Sequence, residues 1–244
     1  MYTREFNEVA EEDFDIASLA NHLHMLPAQI MKLVDRGKLP GRRVGGDWKF
    51  SRAEVHHWLE EKIGLSDESE LAALETQLER TDVQSEGEVS IARLLPLDAI
   101  AVPLEARTRA SVIKDMAELA SQTGLLWDAA KMAEAVTARE AMQPTALDNG
   151  VALLHPRRPL ASILAEPVLA LGITSQGIPF GGTGGLTDVF FLVCSTNDHE
   201  HLRILARLSR MISDPPWLAE LRKASDPIAA CQLIAARDDS LHMQ

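Results

Sequence analysis

The stretch Asp148-Asn149-Gly150-Val151-Ala152-Leu153-Leu154-His155-Pro156 decides how the larger part of this chain reads. Asp-Asn-Gly is turn chemistry, because Asn and Gly tolerate the backbone angles that tight turns need. Four apolar residues follow without a polar break, which is the pattern of a short buried strand. His155 ends that run, and Pro156 stiffens the backbone after it. The order predicts an imidazole held where a loop opens to solvent. A neutral imidazole is a competent nucleophile near pH 7, and a phosphoryl group is a suitable electrophile for it.

Outward from this stretch the pattern is mixed α/β. A strand-like start is expected near Val89 to Leu95, followed by helices at about Arg107 to Ser121 and Trp127 to Met142. The apolar runs Val168 to Ile173 and Val189 to Cys194 read as buried strands. Helices at His199 to Ile212, Pro216 to Lys223 and Asp226 to Ala236 complete the segment. His199 and His201 stand at the start of the first of these, whose core face is Leu202, Ile204, Leu205 and Leu208. Such a helix start favours an anion. Arg139, upstream of the His155 loop, has the chemistry to clamp phosphate oxygens. On spacing alone the structural reading of His155, His201 and Arg139 comes first. A zinc site built from His199, His201 and His155 is a weaker alternative. The glycine-rich run Gly177 to Gly185 lacks a following Lys-Ser/Thr pair, so a hairpin connection is preferred to a nucleotide loop.

The first 63 residues read differently. Residues 1–13 form an acidic tail. Ile16, Leu19, Ala20 and Leu23 then recur at helical spacing behind Asp15, a helix-capping residue. Pro27 opens a second helix with Ile30, Met31 and Val34 on its apolar face, and Gly37 stops it. Pro40 to Asp47 is turn-rich, Trp48 to Phe50 is short enough for a hairpin strand, and a third helix starts near Ser51 with Val55, Trp58 and Leu59 inward. His56 and His57 are read as helix-surface residues. Between Arg36 and Arg52 six cations face the single acid Asp47. The helix from Pro27 suits a major groove, with Gln29 and Lys32 near base edges and Arg42, Arg43 and Lys49 on phosphates.

Between the two parts lies an acidic connector, with eight acids from Asp67 to Glu88 against Arg80 alone. Leu71, Leu74 and Leu78 share one side of a helix there, either a simple connector or a dimer seam, and Thr81 to Glu88 reads as a flexible break. The predicted organisation is therefore a tail (1–13), a DNA-binding domain (14–63), an acidic helical linker (64–88) and an α/β domain (89–240). A net charge of −12 argues against non-specific coating of nucleic acid. The acidic start lacks an export pattern, and no apolar run reaches membrane-spanning length, so a cytoplasmic protein without membrane insertion is expected. Cys194 and Cys231 have no metal or redox spacing and read as buried reduced thiols.

Two resemblances sharpen this. Asp15-Ile-Ala-Ser-Leu-Ala20, Leu33-Val-Asp-Arg-Gly-Lys-Leu-Pro40, Arg43-Val-Gly-Gly-Asp-Trp-Lys-Phe50 and Val55-His-His-Trp-Leu59 resemble the DNA-binding domain of the excisionase and MerR-like families. That implies a small, mainly α winged helix-turn-helix reading short DNA sites, usually as a homodimer, although the same fold also serves protein interaction. Arg139-Glu140, Pro144-Thr145, Asn149-Gly-Val-Ala-Leu-Leu-His155, Phe190-Phe-Leu-Val193 and His201-Leu-Arg-Ile-Leu-Ala206 follow in the order of the enzyme IIA domain of the fructose/mannitol type. That family belongs to the sugar phosphotransferase system and includes a nitrogen-regulatory paralogue.

The second resemblance implies a mixed β-sheet with helices on both faces, His155 as the phosphorylated histidine, His201 as its partner and Arg139 beside them. It also implies an HPr-type phosphocarrier as donor and no cofactor or metal for the transfer. One departure stands out: the family usually places proline immediately before the active histidine, and this chain has Leu154. The functional expectation is a phosphorylation-responsive transcription regulator. The alternatives are a IIA phosphocarrier serving a sugar-specific IIB component, and a protein-binding sensor that has lost phosphorylation.

Overall fold

The computed structural model describes residues 13–23, 25–65, 70–72, 75, 78, 89–181 and 185–242. The acidic tail up to residue 12, Leu74 of the connector stripe and the whole expected break from Thr81 to Glu88 lie outside the described residues.

The N-terminal helices start and stop where local chemistry dictates. Helix α1 (Ile16–His22) is closed by a capping box: the Ser18 amide donates to Asp15 Oδ1 at 2.7 Å, and the Asp15 amide donates to Ser18 Oγ at 2.9 Å. Helix α2 (Pro27–Asp35) has proline in its first turn, where its missing N–H costs nothing, and the chain leaves it through Gly37 at φ 64°. Strands β1 (Arg42–Val44) and β2 (Asp47–Lys49) pair antiparallel, and Gly45 and Gly46 between them take positive φ values of 63° and 98°. Two consecutive left-handed residues make the tight hairpin turn that matches strand twist. The sequence reading put Arg42 to Val44 in a turn. All three residues of β1 are exposed, so no apolar alternation marked the strand. Helix α3 (Arg52–Leu65) follows, and Leu19, Ile30, Leu39, Phe50, Val55 and Leu59 close a small core.

The C-terminal part is built on a four-stranded mixed sheet in the order β3-β5-β6-β4, from β3 (Ile100–Ala101), β4 (Val151–Leu154), β5 (Val168–Pro179) and β6 (Leu186–Cys194). The β5–β6 pair is antiparallel, the hairpin read from the glycine-rich run, whereas β3–β5 and β4–β6 are parallel. Strand alternation sorts the core onto two faces. Val151, Leu153, Leu171, Phe191 and Val193 pack with helices α7 (Asp198–Ile212) and α9 (Pro227–His242). Ala152, Leu154, Ala170, Phe190 and Leu192 pack with α5 (Arg109–Ser121) and α6 (Ala129–Met142). Each fully buried leucine or phenylalanine contributes roughly 1.5–3 kcal/mol. A side chain at Gly172 would meet Leu104 Cδ2 and Met116 Sδ, both at 2.7 Å, so α5 can lie close on the sheet only over a glycine. Helix α8 (Pro215–Leu221) joins α7 to α9.

The segment read as a strand near Val89 to Leu95 is instead a short helix, α4 (Ile91–Leu94). Its first turn is claimed by a distant acid: Asp238 accepts from Ser90 Oγ at 2.9 Å and from the Ala92 amide at 3.1 Å. Asp238 also binds Arg207, which lies fully buried in α7. Arg207 Nε donates to Asp238 Oδ1 at 2.9 Å and its Nη1 to Glu75 Oε1 at 3.0 Å, while Arg210 Nη1 donates to Glu75 Oε2 at 2.9 Å. The connector's Leu71 and Leu78 are buried in the chain's own core. The acidic connector is thus latched onto the C-terminal sheet domain by charge and apolar contact together.

Leu59 and Ile63 of α3 and Leu202 and Leu205 of α7 belong to one apolar cluster, so the N-terminal domain is docked on the sheet domain through α3. Neither cysteine is in a disulfide; burial pushes the Cys194 thiol up to about 12, which leaves it inert. Among the described residues, no helix is long and apolar enough to cross a membrane.

Candidate phosphoryl-transfer site

His155 lies directly after β4, at the end of the parallel β4–β6 pair, and β4 fixes its position. Its Nδ1 is 2.8 Å from the Leu153 carbonyl oxygen. A carbonyl can only accept, so Nδ1 carries the hydrogen and Nε2 is left as the reactive nitrogen of the neutral ring. His201, in the first turn of α7, sits edge-on to His155 with ring centroids 5.0 Å apart, and its Nδ1 is 2.9 Å from Ser195 Oγ. Burial pushes His201 down to about 4, with the neighbouring His155 and His56 adding to the effect and Glu60 opposing it, so this ring is neutral at pH 7.

Arg139, in the last turn of α6, donates from Nη1 to the Gln143 carbonyl at 2.9 Å. The next residue, Glu140, is buried and receives Arg109 Nη2 at 2.9 Å together with the Thr145 amide and hydroxyl, which holds the loop 143–145 against the site. His155, Arg139, Thr145, Leu205 and Ser209 line a cavity of about 300 Å³.

The structure thus brings His155, His201 and Arg139 together, but it corrects several expectations. His155 is buried, at 4% exposure, because α3 of the N-terminal domain covers it. The start of α7 is no open anion site either: Asn197 caps it, and Glu200 Oε2 accepts from Thr196 Oγ1 at 3.1 Å. His199 turns away from the histidine pair, with Nε2 2.9 Å from the Leu78 carbonyl, so the His199–His201–His155 zinc reading has no geometry behind it.

What covers the site is Glu60. Its Oε1 lies 3.1 Å from His56 Nε2, 3.5 Å from His201 Nε2 and 3.6 Å from His155 Nε2, and its Oε2 lies 3.5 Å from Arg139 Nη2. Burial raises the Glu60 pKa, but the His155, His201 and His56 rings facing it outweigh that and hold it far below the usual carboxylate range. His56, read as a surface residue, is buried and stacked on His201 with centroids 5.4 Å apart. A signal existed in the sequence: His56 and Glu60 are four apart, hence on one helix face beside the Val55–Leu59 stripe.

The exposed candidates of the N-terminal domain lie elsewhere. Gln29, Lys32, Arg42 and Arg43 are exposed and Lys49 is half-buried. Gln29 Oε1 accepts from the Leu26 amide at 2.8 Å, so this side chain closes its own helix. Arg42 pairs with Asp13 at 2.6 Å, and Arg43 lies over the Trp48 ring. A second cavity, about 490 Å³, runs between the domains and is lined by His22, Arg52, His56, Arg158 and His199, among others.

Residues 93–237 match the family model described as phosphoenolpyruvate-dependent sugar phosphotransferase system, EIIA 2. The chain belongs to that family. A helix-turn-helix domain model matches residues 14–63, so the EIIA domain here is joined to a helix-turn-helix domain. Among curated proteins, the chain is 26% identical over 153 residues to the fructose-specific EIIABC component of Bacillus subtilis, covering 62% of this chain but only 24% of that protein. The chain therefore spans about a quarter of the length of the curated relative it matches. The EIIA fold is shared with the nitrogen regulatory protein IIA-Ntr of Neisseria meningitidis (TM-score 0.53, 22% identity, 59% of this chain and 98% of that one). It is also shared with the mannitol enzyme IIA of Escherichia coli (TM-score 0.52, 17% identity, 57% and 98%).

Proposed function

We propose that this chain is a phosphorylation-responsive transcription regulator of the cytoplasm, in which His155 accepts a phosphoryl group and the helix-turn-helix domain binds DNA. The observation that carries the reading is Glu60: a carboxylate from the DNA-binding half occupies the space between His155, His201 and Arg139. In the transfer, the P–N bond of a phosphohistidine on an HPr-type carrier breaks as a bond forms to His155 Nε2. Nδ1–H stays on the Leu153 carbonyl throughout. Arg139 and His201 hold the phosphoryl oxygens, since positioning and charge do most of the work in phosphoryl transfer.

The product carries between one and a half and two negative charges, roughly. It cannot share a dry site with the Glu60 carboxylate. Phosphorylation and docking of α3 therefore exclude one another, and the phosphoryl group acts as a signal to the DNA-binding domain. None of Gln29, Lys32, Arg42, Arg43 and Lys49 is among the residues lining the two cavities described above. The signal then works through the freedom and spacing of the domain, as in a dimer, rather than by uncovering its basic face.

A second reading, a carrier that hands its phosphoryl group to a IIB component, draws on the fold shared with Escherichia coli mannitol enzyme IIA in its complex with phosphorylated enzyme IIB (TM-score 0.51, 17% identity). The deciding experiment incubates the protein, first freed of transition metals, with enzyme I, an HPr-type carrier and labelled phosphoenolpyruvate. Acid-labile label is expected on the wild type and none on His155→Ala. Absence of label on the wild type, under conditions that label a control carrier, would leave only the protein-binding sensor that Leu154 brings to mind. Selection from random duplex DNA tests the other half, and failure to enrich any sequence at moderate salt would favour the phosphocarrier.

A further inference from the structure

Four atoms from both halves of the chain converge on one point: His56 Nε2, Glu60 Oε1, His155 Nε2 and His201 Nε2. All four are buried, and none completes a hydrogen bond of ordinary geometry. A buried donor or acceptor left without a partner costs about 1–3 kcal/mol, and four at one place is not a packing accident.

Tautomers sharpen the problem. The Leu153 carbonyl takes the Nδ1 hydrogen of His155, so the neutral ring points a bare lone pair at a carboxylate oxygen 3.6 Å away. His201 is positioned by Ser195 Oγ, 2.9 Å from its Nδ1, and presents Nε2 to the same oxygen. Lone pairs aimed at one another repel unless a proton or a metal ion sits between them. A metal ion there must be small, because the ligand atoms of His56, Glu60 and His201 all lie within 4.8 Å of one another.

We propose that these residues form a divalent transition-metal site of the zinc class, with His56, Glu60 and His201 as ligands and an open fourth position beside His155 Nε2. For tetrahedral zinc with bonds of about 2.0–2.1 Å, neighbouring donor atoms stand about 3.3 Å apart. The distances from Glu60 Oε1 to the three imidazole nitrogens are 3.1, 3.5 and 3.6 Å. Two imidazoles and one carboxylate, with a third imidazole beside them, suit a borderline ion of this kind and not magnesium or calcium, which take oxygen donors. The outer partners are also those of a built metal site. Each active-site imidazole has its far nitrogen held, by the Leu153 carbonyl or Ser195 Oγ, and Arg139 Nη2 stands 3.5 Å from the other oxygen of Glu60.

The ion would staple α3 to the EIIA domain, because His56 and Glu60 come from one half and His201 from the other. Metal binding itself does not depend on phosphoryl transfer. The further consequence, that the ion caps the Nε2 nucleophile and keeps the chain in its unphosphorylated posture, does rest on the function proposed above.

The test uses the full chain, stripped with a chelator and titrated with Zn²⁺ against a chromophoric competitor, with metal content read by mass spectrometry. One ion per chain is expected, with a rise in melting temperature on loading. His56→Ala and Glu60→Gln should each weaken binding by more than the 10–100-fold, roughly, that loss of an outer partner costs. His242→Ala, on α9, serves as the control and should bind as the wild type does. A melt of each zinc-free variant separates lost folding from lost ligation. X-ray absorption should show nitrogen and oxygen neighbours only, at about 2.0 Å. Absence of stoichiometric binding by the wild type would overturn the proposal, as would wild-type affinity in folded His56→Ala. If zinc binds as expected but no label reaches metal-free His155, the metal site stands and the phosphoryl reading falls.

Discussion

Replacing Glu60 by alanine is expected to raise the rate at which metal-free protein takes label on His155 by at least about tenfold. Truncating one partner of a buried, charged contact costs roughly 2–5 kcal/mol. Each 1.36 kcal/mol is about a factor of ten, so the docking equilibrium should move about 30-fold or more. The gain in rate is smaller than that shift, because it stops growing once the domain is undocked most of the time. Glu60→Gln keeps the volume and removes the charge, and should fall between alanine and wild type. Initial rates of label transfer from a phosphorylated carrier are the measurement, with circular dichroism to establish that each variant is folded. An unchanged rate in a folded Glu60→Ala protein would mean that α3 does not guard the histidine.

The second large effect is on stability. Arg207→Met should lower the melting temperature by about 6–20 °C. Arg207 is fully buried between Glu75 of the connector and Asp238 of α9. Removing it leaves two carboxylates short of their cation, a loss of roughly 3–5 kcal/mol, and a chain of this size loses about 2–4 °C per kcal/mol. Glu75 keeps Arg210, so part of its charge stays compensated. The exposed pair Lys223–Glu220 provides the comparison: Lys223→Met should change stability by no more than about 1 kcal/mol. Thermal melting of the three proteins side by side reads both results.

These two predictions fall on the two kinds of feature that differ most in how far the sequence shows them. Local chemistry was legible. Asp15 and Ser18 close α1 by a contact three residues long, Pro27 and Gly37 bound α2, and the uninterrupted run Val151 to Leu154 is a strand buried on both faces. The two resemblances named the domains and gathered His155, His201 and Arg139, which spacing alone had left open.

What stayed hidden depends on partners far along the chain. The segment after Val89 is helical because Asp238, 146 residues beyond Ala92, accepts its first-turn amide. Glu75 looked like one acid among many in a solvated connector until two arginines of α7 met it. His56 and Glu60 shared a helix face, but no local period says that α7 will cover that face with a second histidine. His155 was expected at an open loop, and it would be one if α3 were elsewhere. Whether this site is open depends on how two domains meet, and the reading of single elements contains no term for that.

The central claim is that phosphoryl acceptance and docking of the helix-turn-helix domain exclude one another. Spin labels at Lys32→Cys on α2 and Glu220→Cys on α8, in a Cys231→Ser background, would report the distance between the domains before and after complete phosphorylation of His155. A single narrow distance is expected for the unphosphorylated chain, giving way to a longer, broad distribution once the phosphoryl group is on. The same narrow distance at full phosphorylation would contradict the account.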